Sequence, residues 1–242
     1  MTDRTPLILL PGLLCDARLW RDPAAALGDI AVPVVADLSR GDSVDALAAR
    51  VLATADAAGF GRFALAGLSM GGYVALAVLR QAAERVERLA LFDTSARPDS
   101  DTQARRRRGL LALARRTPPG GRFRGVTPRL LPQLLHPDNL SGPLGAEVIA
   151  MAERLGRDAF LDQQAAILGR PDSRPMLSGI AVPTLVAVGE ADGMTPPALS
   201  AEMAAGIPGA ELRTLPGCGH LPPMESPGPV GALLRDWLLR PA

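Results

Sequence analysis

Short apolar runs alternate along this chain with longer stretches in which apolar residues recur every three or four positions. Residues 7–10 (LILL) form the first run and stop at Pro11-Gly12; residues 30–36 form the second and stop at Asp37. Residues 63–66, 86–92, 184–188 and 211–215 are the remaining strand-like segments. Between the runs, residues 43–58 keep Ala, Leu and Val on one helical face behind a serine placed to cap it. Further helical patterns cover residues 70–84, 197–205 and 229–239. Strands that are apolar throughout are buried on both faces, and their alternation with helices points to a parallel sheet. The pattern predicts an α/β protein with a mainly parallel, doubly wound sheet of about six strands.

Residues 97–178 break the rhythm. They carry no convincing strand, only short helical patterns punctuated by Pro and Gly in TPPGGRFRG, LPQLLHPDN and LSGPLG. This predicts a helical cap, residues 97–178, inserted into a core made of residues 1–96 and 179–242. Ten arginines fall between Arg97 and Arg129, including the run at 105–108, against two aspartates. A solvated helix face accounts for such a run; a rim that attracts anionic substrates is the sharper alternative.

Composition narrows the chemistry by what it withholds. Aromatics make up only 3% of the 242 residues, so the core is built from Leu, Ala, Val and Ile. The net charge of +1 gives no reason to expect nucleic acid, and no apolar run is long enough to span a bilayer. The N-terminal MTDRTPLILLPG does not read as a signal peptide. Cys15 and Cys218 are too few for a disulfide framework, and a reduced, cytoplasmic protein follows. All basic residues are arginine, so neither a lysine Schiff base nor a P-loop lysine is available. His136 and His220 are the only histidines and no Cys-x-x-Cys occurs, which argues against a metal site. No cofactor is implied.

The run at 63–66 leads into Gly67-Leu68-Ser69-Met70-Gly71-Gly72, and a helical pattern follows. This is Gly-x-Ser-x-Gly on a strand-to-helix turn, where Gly67 and Gly71 leave room for a sharp bend that exposes Ser69. A serine nucleophile needs a base, and the base needs an acid to orient it. His220 follows the last strand in GCGHLPP, on a flexible loop; His136 sits in the cap and reads as a surface or core histidine. Asp192 follows the strand at 184–188, with Asp93, at the end of the strand at 86–92, as its rival and Glu190 as a weaker one. The order Ser69, Asp192, His220 is the order of α/β-hydrolases. The backbone N–H of Met70, opening a helix, and that of Leu13, at the turn after the first strand, are the candidate oxyanion donors.

Together PGLLCDARLW, GLSMGG, VGEADGMTP and GCGHLPPMESP, in this order, resemble the α/β-hydrolase family and its small bacterial esterase-like members. The resemblance covers nearly the whole chain except the cap. It implies Ser69 as nucleophile, Asp192 as acid, His220 as base, Leu13 and Met70 as oxyanion donors, and Glu225 as a residue that holds the histidine loop. Pro11-Gly12 stands where members often have His-Gly, which leaves the backbone donor intact. Little precedes Leu7, so the antiparallel hairpin that usually opens the family's sheet is expected to be missing.

A serine nucleophile leaves acyl transfer: esters, lactones, thioesters or activated diketones. The leading expectation is a carboxylesterase for small to medium acyl esters, its partner a small-molecule substrate rather than nucleic acid or a membrane. An enol-lactonase-like activity is the alternative, with a cap arginine holding a substrate carboxylate. A non-catalytic ligand receptor is the alternative from another class. A homodimer is left open.

Overall fold

The computed structural model describes residues 4–116, 123 and 125–241. Six strands form one sheet: Thr5–Leu10 (β1), Ala31–Val35 (β2), Phe63–Leu68 (β3), Val86–Phe92 (β4), Thr184–Gly189 (β5) and Glu211–Leu215 (β6). Their order is β2-β1-β3-β4-β5-β6, and every pairing is parallel. The chain leaves β1 toward one edge and returns to β3 on the other side. Connections therefore diverge at the carboxyl ends of β1 and β3, which opens a crevice there.

The helices are Arg21–Ala25 (α1), Val44–Ala57 (α2), Met70–Ala82 (α3), Asp101–Arg115 (α4), Leu131–Leu134 (α5), Pro143–Leu168 (α6), Pro197–Gly206 (α7), Pro222–Glu225 (α8) and Pro227–Leu239 (α9). Alternate strand residues go to opposite faces, as the pleat requires. Leu7, Leu9, Ala64, Ala66 and Ala187 share one apolar cluster with Leu234 and Trp237 of α9. Ile8, Leu10, Leu65 and Val186 join the other, with Leu47 and Val51 of α2 and Val74 and Val78 of α3. Trp20 covers the first face: its Nε1 donates to Leu10 O at 3.1 Å and its ring meets Phe92 edge-on at 5.6 Å.

Several boundaries move for local reasons. β3 runs two residues past the predicted end, because Gly67 and Leu68 stay paired with β4 up to the serine turn. α3 gives way at Ala82 to a 3-10 turn, Ala83–Arg85. Ser43 caps α2 as its position suggested, its side chain accepting from Ala46 N–H. No described strand precedes β1 or runs antiparallel to it.

Between Phe92 and Thr184 the described residues form helices and no strand. The Pro/Gly stretch at 117–122, together with Arg124, lies outside the described residues. The rest is less fragmented than its punctuation suggests. The 26 residues of α6 are two helical segments that meet at a kink at Gly156, where φ is 77° and ψ −171°. Asp99 anchors this insertion. Its side chain is buried and accepts from Arg107 Nε at 2.7 Å and Arg170 Nη1 at 2.8 Å, so one carboxylate sits between two guanidinium groups. Among the described residues no helix is long and apolar enough to cross a membrane.

Candidate active site

Ser69 stands between β3 and α3 with φ 55° and ψ −115°, a region that side-chain-bearing residues rarely occupy. Such a conformation costs about 1–3 kcal/mol and persists only where surrounding contacts enforce it. Here Ser69 N–H donates to Phe92 O at 2.9 Å, while Ser69 O accepts from Thr94 Oγ1 at 2.7 Å and from Gly72 N–H at 2.9 Å. The flanking glycines permit the bend. A Cβ on Gly67 would collide with the Gly71 carbonyl, and one on Gly71 with the Leu10 carbonyl.

His220 Nε2 lies 2.9 Å from Ser69 Oγ, and His220 Nδ1 lies 2.9 Å from Asp192 Oδ2. Asp192 follows β5 and His220 follows β6, so the three side chains meet over the carboxyl ends of the sheet. Both Asp192 and His220 are buried, while Ser69 stays half-buried. Asp192 is well supplied with donors. Oδ1 accepts the N–H groups of Met194 and Thr195 at 2.8 and 3.0 Å, and Oδ2 accepts the Thr195 hydroxyl at 2.6 Å. Burial works to raise the Asp192 carboxyl, but the charge and hydrogen bond of His220 and the bonds from Thr195 outweigh it. The result lies below the ordinary aspartate value, so Asp192 carries its negative charge.

The loop bearing His220 is held, not flexible as its glycines suggested. His220 N–H donates to Leu134 O at 2.8 Å, a contact from the insertion. Glu225 Oε1 accepts from Gly219 N–H at 2.9 Å and Leu221 N–H at 3.1 Å, one on each side of the histidine. Glu225 Oε2 accepts from His136 N–H at 2.7 Å and Asn139 Nδ2 at 2.9 Å. His136 thus contributes its backbone to this region, while its ring Nδ1 accepts from Asp138 N–H. Glu190 takes no part in the Ser–His–Asp chain; it accepts Gly217 N–H at 2.7 Å.

Leu13 lies in the turn after β1, closed by Cys15 N–H to Gly12 O at 3.1 Å. That turn abuts the serine, since a Cβ on Gly12 would stand 3.4 Å from Ser69 Cβ. Leu13 N–H has no acceptor among the described residues, and Met70 N–H opens α3 with no intrahelical acceptor. Two donors are therefore free to serve a developing oxyanion. The turn is fixed from the insertion. Gln163 on α6 is fully buried, accepts Leu14 N–H at 2.9 Å, and donates to Leu38 O at 2.9 Å. Leu14 itself has φ 56°. Sequence reasoning missed Gln163, Asn139 and Thr195. Only Thr195 had a local signal: an aspartate that accepts the N–H groups two and three residues onward is a familiar turn.

Cys15 and Cys218 are both free and buried. Burial, with Asp16 nearby, pushes the Cys15 thiol up to about 12, and burial pushes Cys218 up to about 11. Neither offers a thiolate near neutral pH. Asp93, Asp192 and His220 bring three potential ligand atoms within 4.8 Å of one another. The hydrogen bond between His220 Nδ1 and Asp192 Oδ2 engages two of these groups with each other.

A parallel sheet with this strand order, a strained serine at the β3–α3 turn, and an aspartate and histidine after the last two strands define an α/β hydrolase. Residues 7–233 match the model of the alpha/beta hydrolase family, and the chain belongs to it. It is 27% identical over 211 residues to a pimeloyl-[acyl-carrier protein] methyl ester esterase of Neisseria meningitidis, covering 85% of this chain and 77% of that protein. Among solved structures, a thermophilic esterase of Thermogutta terrifontis superposes with a TM-score of 0.87 at 30% identity, covering 97% of this chain and 89% of that one. The enol-lactonase of Burkholderia xenovorans LB400 superposes with a TM-score of 0.83 at 25% identity, covering 98% and 92%.

Proposed function

We propose that this hydrolase is a serine carboxylesterase acting on small to medium carboxylic esters through an acyl-enzyme on Ser69. The observation that carries the reading is the unbroken chain from Ser69 Oγ through His220 to Asp192, two hydrogen bonds of 2.9 Å each. In the first half-reaction Ser69 Oγ attacks the ester carbonyl carbon and its proton passes to His220 Nε2. The carbonyl oxygen becomes an oxyanion and takes hydrogen bonds from Leu13 and Met70 N–H. Collapse expels the alcohol, protonated by His220, and leaves the acyl group on Ser69. In the second half-reaction His220 takes a proton from water, the hydroxide attacks the acyl carbon, and the carboxylic acid leaves as Ser69 recovers its proton. Asp192 keeps Nδ1 protonated and stabilises the imidazolium in both halves.

Residues 97–178 act in this reading as a cap over the site. Leu131, Leu135, Val148 and Met151 from the cap share an apolar cluster with Leu14 and Leu221, which favours an apolar acyl group. The arginine run favours a neutral substrate. Arg105 and Arg106 are exposed and reach Thr102 and Gln133, while Arg107 is engaged by Asp99 and Gln164. The free thiols of Cys15 and Cys218 fit a cytoplasmic setting.

Lactone hydrolysis is the second reading, favoured by the likeness to the enol-lactonase. The test is a hydrolysis screen across acyl chain lengths, carboxylate-bearing esters and lactones, run beside Ser69→Ala and with fluorophosphonate labelling. Turnover of neutral p-nitrophenyl esters, abolished by Ser69→Ala, with label on Ser69, is the expected result. Preference for lactones or carboxylate-bearing substrates would select the second reading. A wild-type protein that neither labels nor turns over would leave a ligand-binding protein on the hydrolase fold.

A further inference from the structure

Asp93 has no part in the chain of proton transfer just described, yet it is fully buried beside it. It directly follows β4 with φ 45°, and its N–H donates to Ala187 O at 2.9 Å. Its Oδ1 accepts Gly189 N–H at 2.8 Å. Its Oδ2 is buried and has no donor to accept from among the described residues. Both the Asp192 carboxylate and the His220 ring lie within the same 4.8 Å cluster. Among the described residues, the ionisable groups that face Asp93 from the surrounding elements are Asp192 after β5, His220 and Cys218 after β6, and Glu225 on α8. No arginine is among them.

Two carboxylates so close cannot both be ionised with a single imidazole to balance them. Hydrogen-bond supply decides which one keeps the charge. Asp192 has Met194 N–H, Thr195 N–H, the Thr195 hydroxyl and His220, whereas Asp93 has the Gly189 N–H alone. A bare buried carboxylate oxygen is costly, and a proton on it removes the cost by turning it into a donor. Burial first, and the charge of Asp192 second, hold the Asp93 carboxyl well above the usual aspartate range.

We propose that Asp93 is a neutral carboxylic acid whose Oδ2–H donates to the Asp192 carboxylate, making it a positioning residue for the Ser69–His220–Asp192 chain. The donated bond draws charge away from the face of Asp192 that His220 meets. The imidazolium is then stabilised less than an unshared Asp192 would stabilise it. The kinetic side of this inference rests on the serine-esterase reading; the shared proton does not.

The test combines infrared spectroscopy at neutral pH with pH profiles of kcat/KM for p-nitrophenyl acetate, on wild type, Asp93→Asn and Asp93→Ala. Wild type is expected to show the carbonyl stretch of a protonated carboxylic acid, moved by deuteration and absent from both variants. Asp93→Ala removes the donor, so its acid limb should move to higher pH by roughly half a unit or more. Asp93→Asn places an amide N–H in the same position and should hold the limb near wild type. A missing band, an unmoved limb in Asp93→Ala, or a limb that moves equally in both variants would overturn the proposal. If Asp93→Ala does not fold, the band in wild type and its loss in the near-isosteric Asp93→Asn still decide whether the proton is there. A wild type with the band but no ester turnover would sink the esterase reading while supporting the shared proton.

Discussion

The carboxylate of Glu225 accepts the backbone N–H of His136 at 2.7 Å, joining the histidine loop of the core to the helical insertion. With its other oxygen it grips Gly219 and Leu221, the neighbours of His220, so one side chain holds the loop of His220 and docks the insertion together. Glu225→Ala should leave several N–H groups without partners and cost about 2–4 kcal/mol of stability, read by urea denaturation. It should also lower kcat on the order of 10²-fold through misplacement of His220. A variant that loses stability but keeps full kcat would show that the loop holds its geometry without the carboxylate.

Asp192→Asn keeps the shape of the acid and removes its charge. His220 should then lose the tautomer that leaves Nε2 free to accept from Ser69, and kcat should fall on the order of 10⁴-fold at neutral pH. Steady-state hydrolysis of a p-nitrophenyl ester checks it. A comparable loss in Asp93→Asn with little loss in Asp192→Asn would move the acid to β4.

Gln163 ties the turn carrying Leu13 to α6 through Leu14 N–H and Leu38 O. Gln163→Ala frees that turn and should loosen an oxyanion donor rather than substrate binding. The expected signature is a fall in kcat of about 10- to 10²-fold with KM nearly unchanged. An increase in KM alone would assign Gln163 to the pocket instead.

The raised Asp93 carboxyl has a consequence for folding. In the native state it retains a proton that the unfolded chain releases near the ordinary aspartate value of about 3.9. The native form therefore binds more protons above that value, and stability falls as pH rises from it toward the native pKa. Asp93→Asn lacks this linkage. Its stability relative to wild type should grow with pH by up to about 1.4 kcal/mol per unit inside that window, as measured by urea denaturation at several pH values. Parallel curves for the two proteins would show that Asp93 titrates alike in both states.

The amino-acid sequence by itself determined the six strands, the helices α2, α3, α7 and α9, and the place where a helical stretch interrupts their alternation. These follow from apolar period and from Gly and Pro, which act over a few residues. It also ordered a serine in a glycine-tight turn, an aspartate and a histidine after successive strands, because strand ends are local features. Only the tertiary structure decided which carboxylate faces His220. Asp93 and Asp192 both follow strands, and their difference is the set of donors around each: one N–H for Asp93, four groups for Asp192. The same holds for Gln163, which meets Leu14 from 149 positions away, and for Glu225, whose second oxygen serves His136 across 89 positions. Buried polar groups must find partners wherever the packed chain presents them, and no local pattern records a partner chosen by packing.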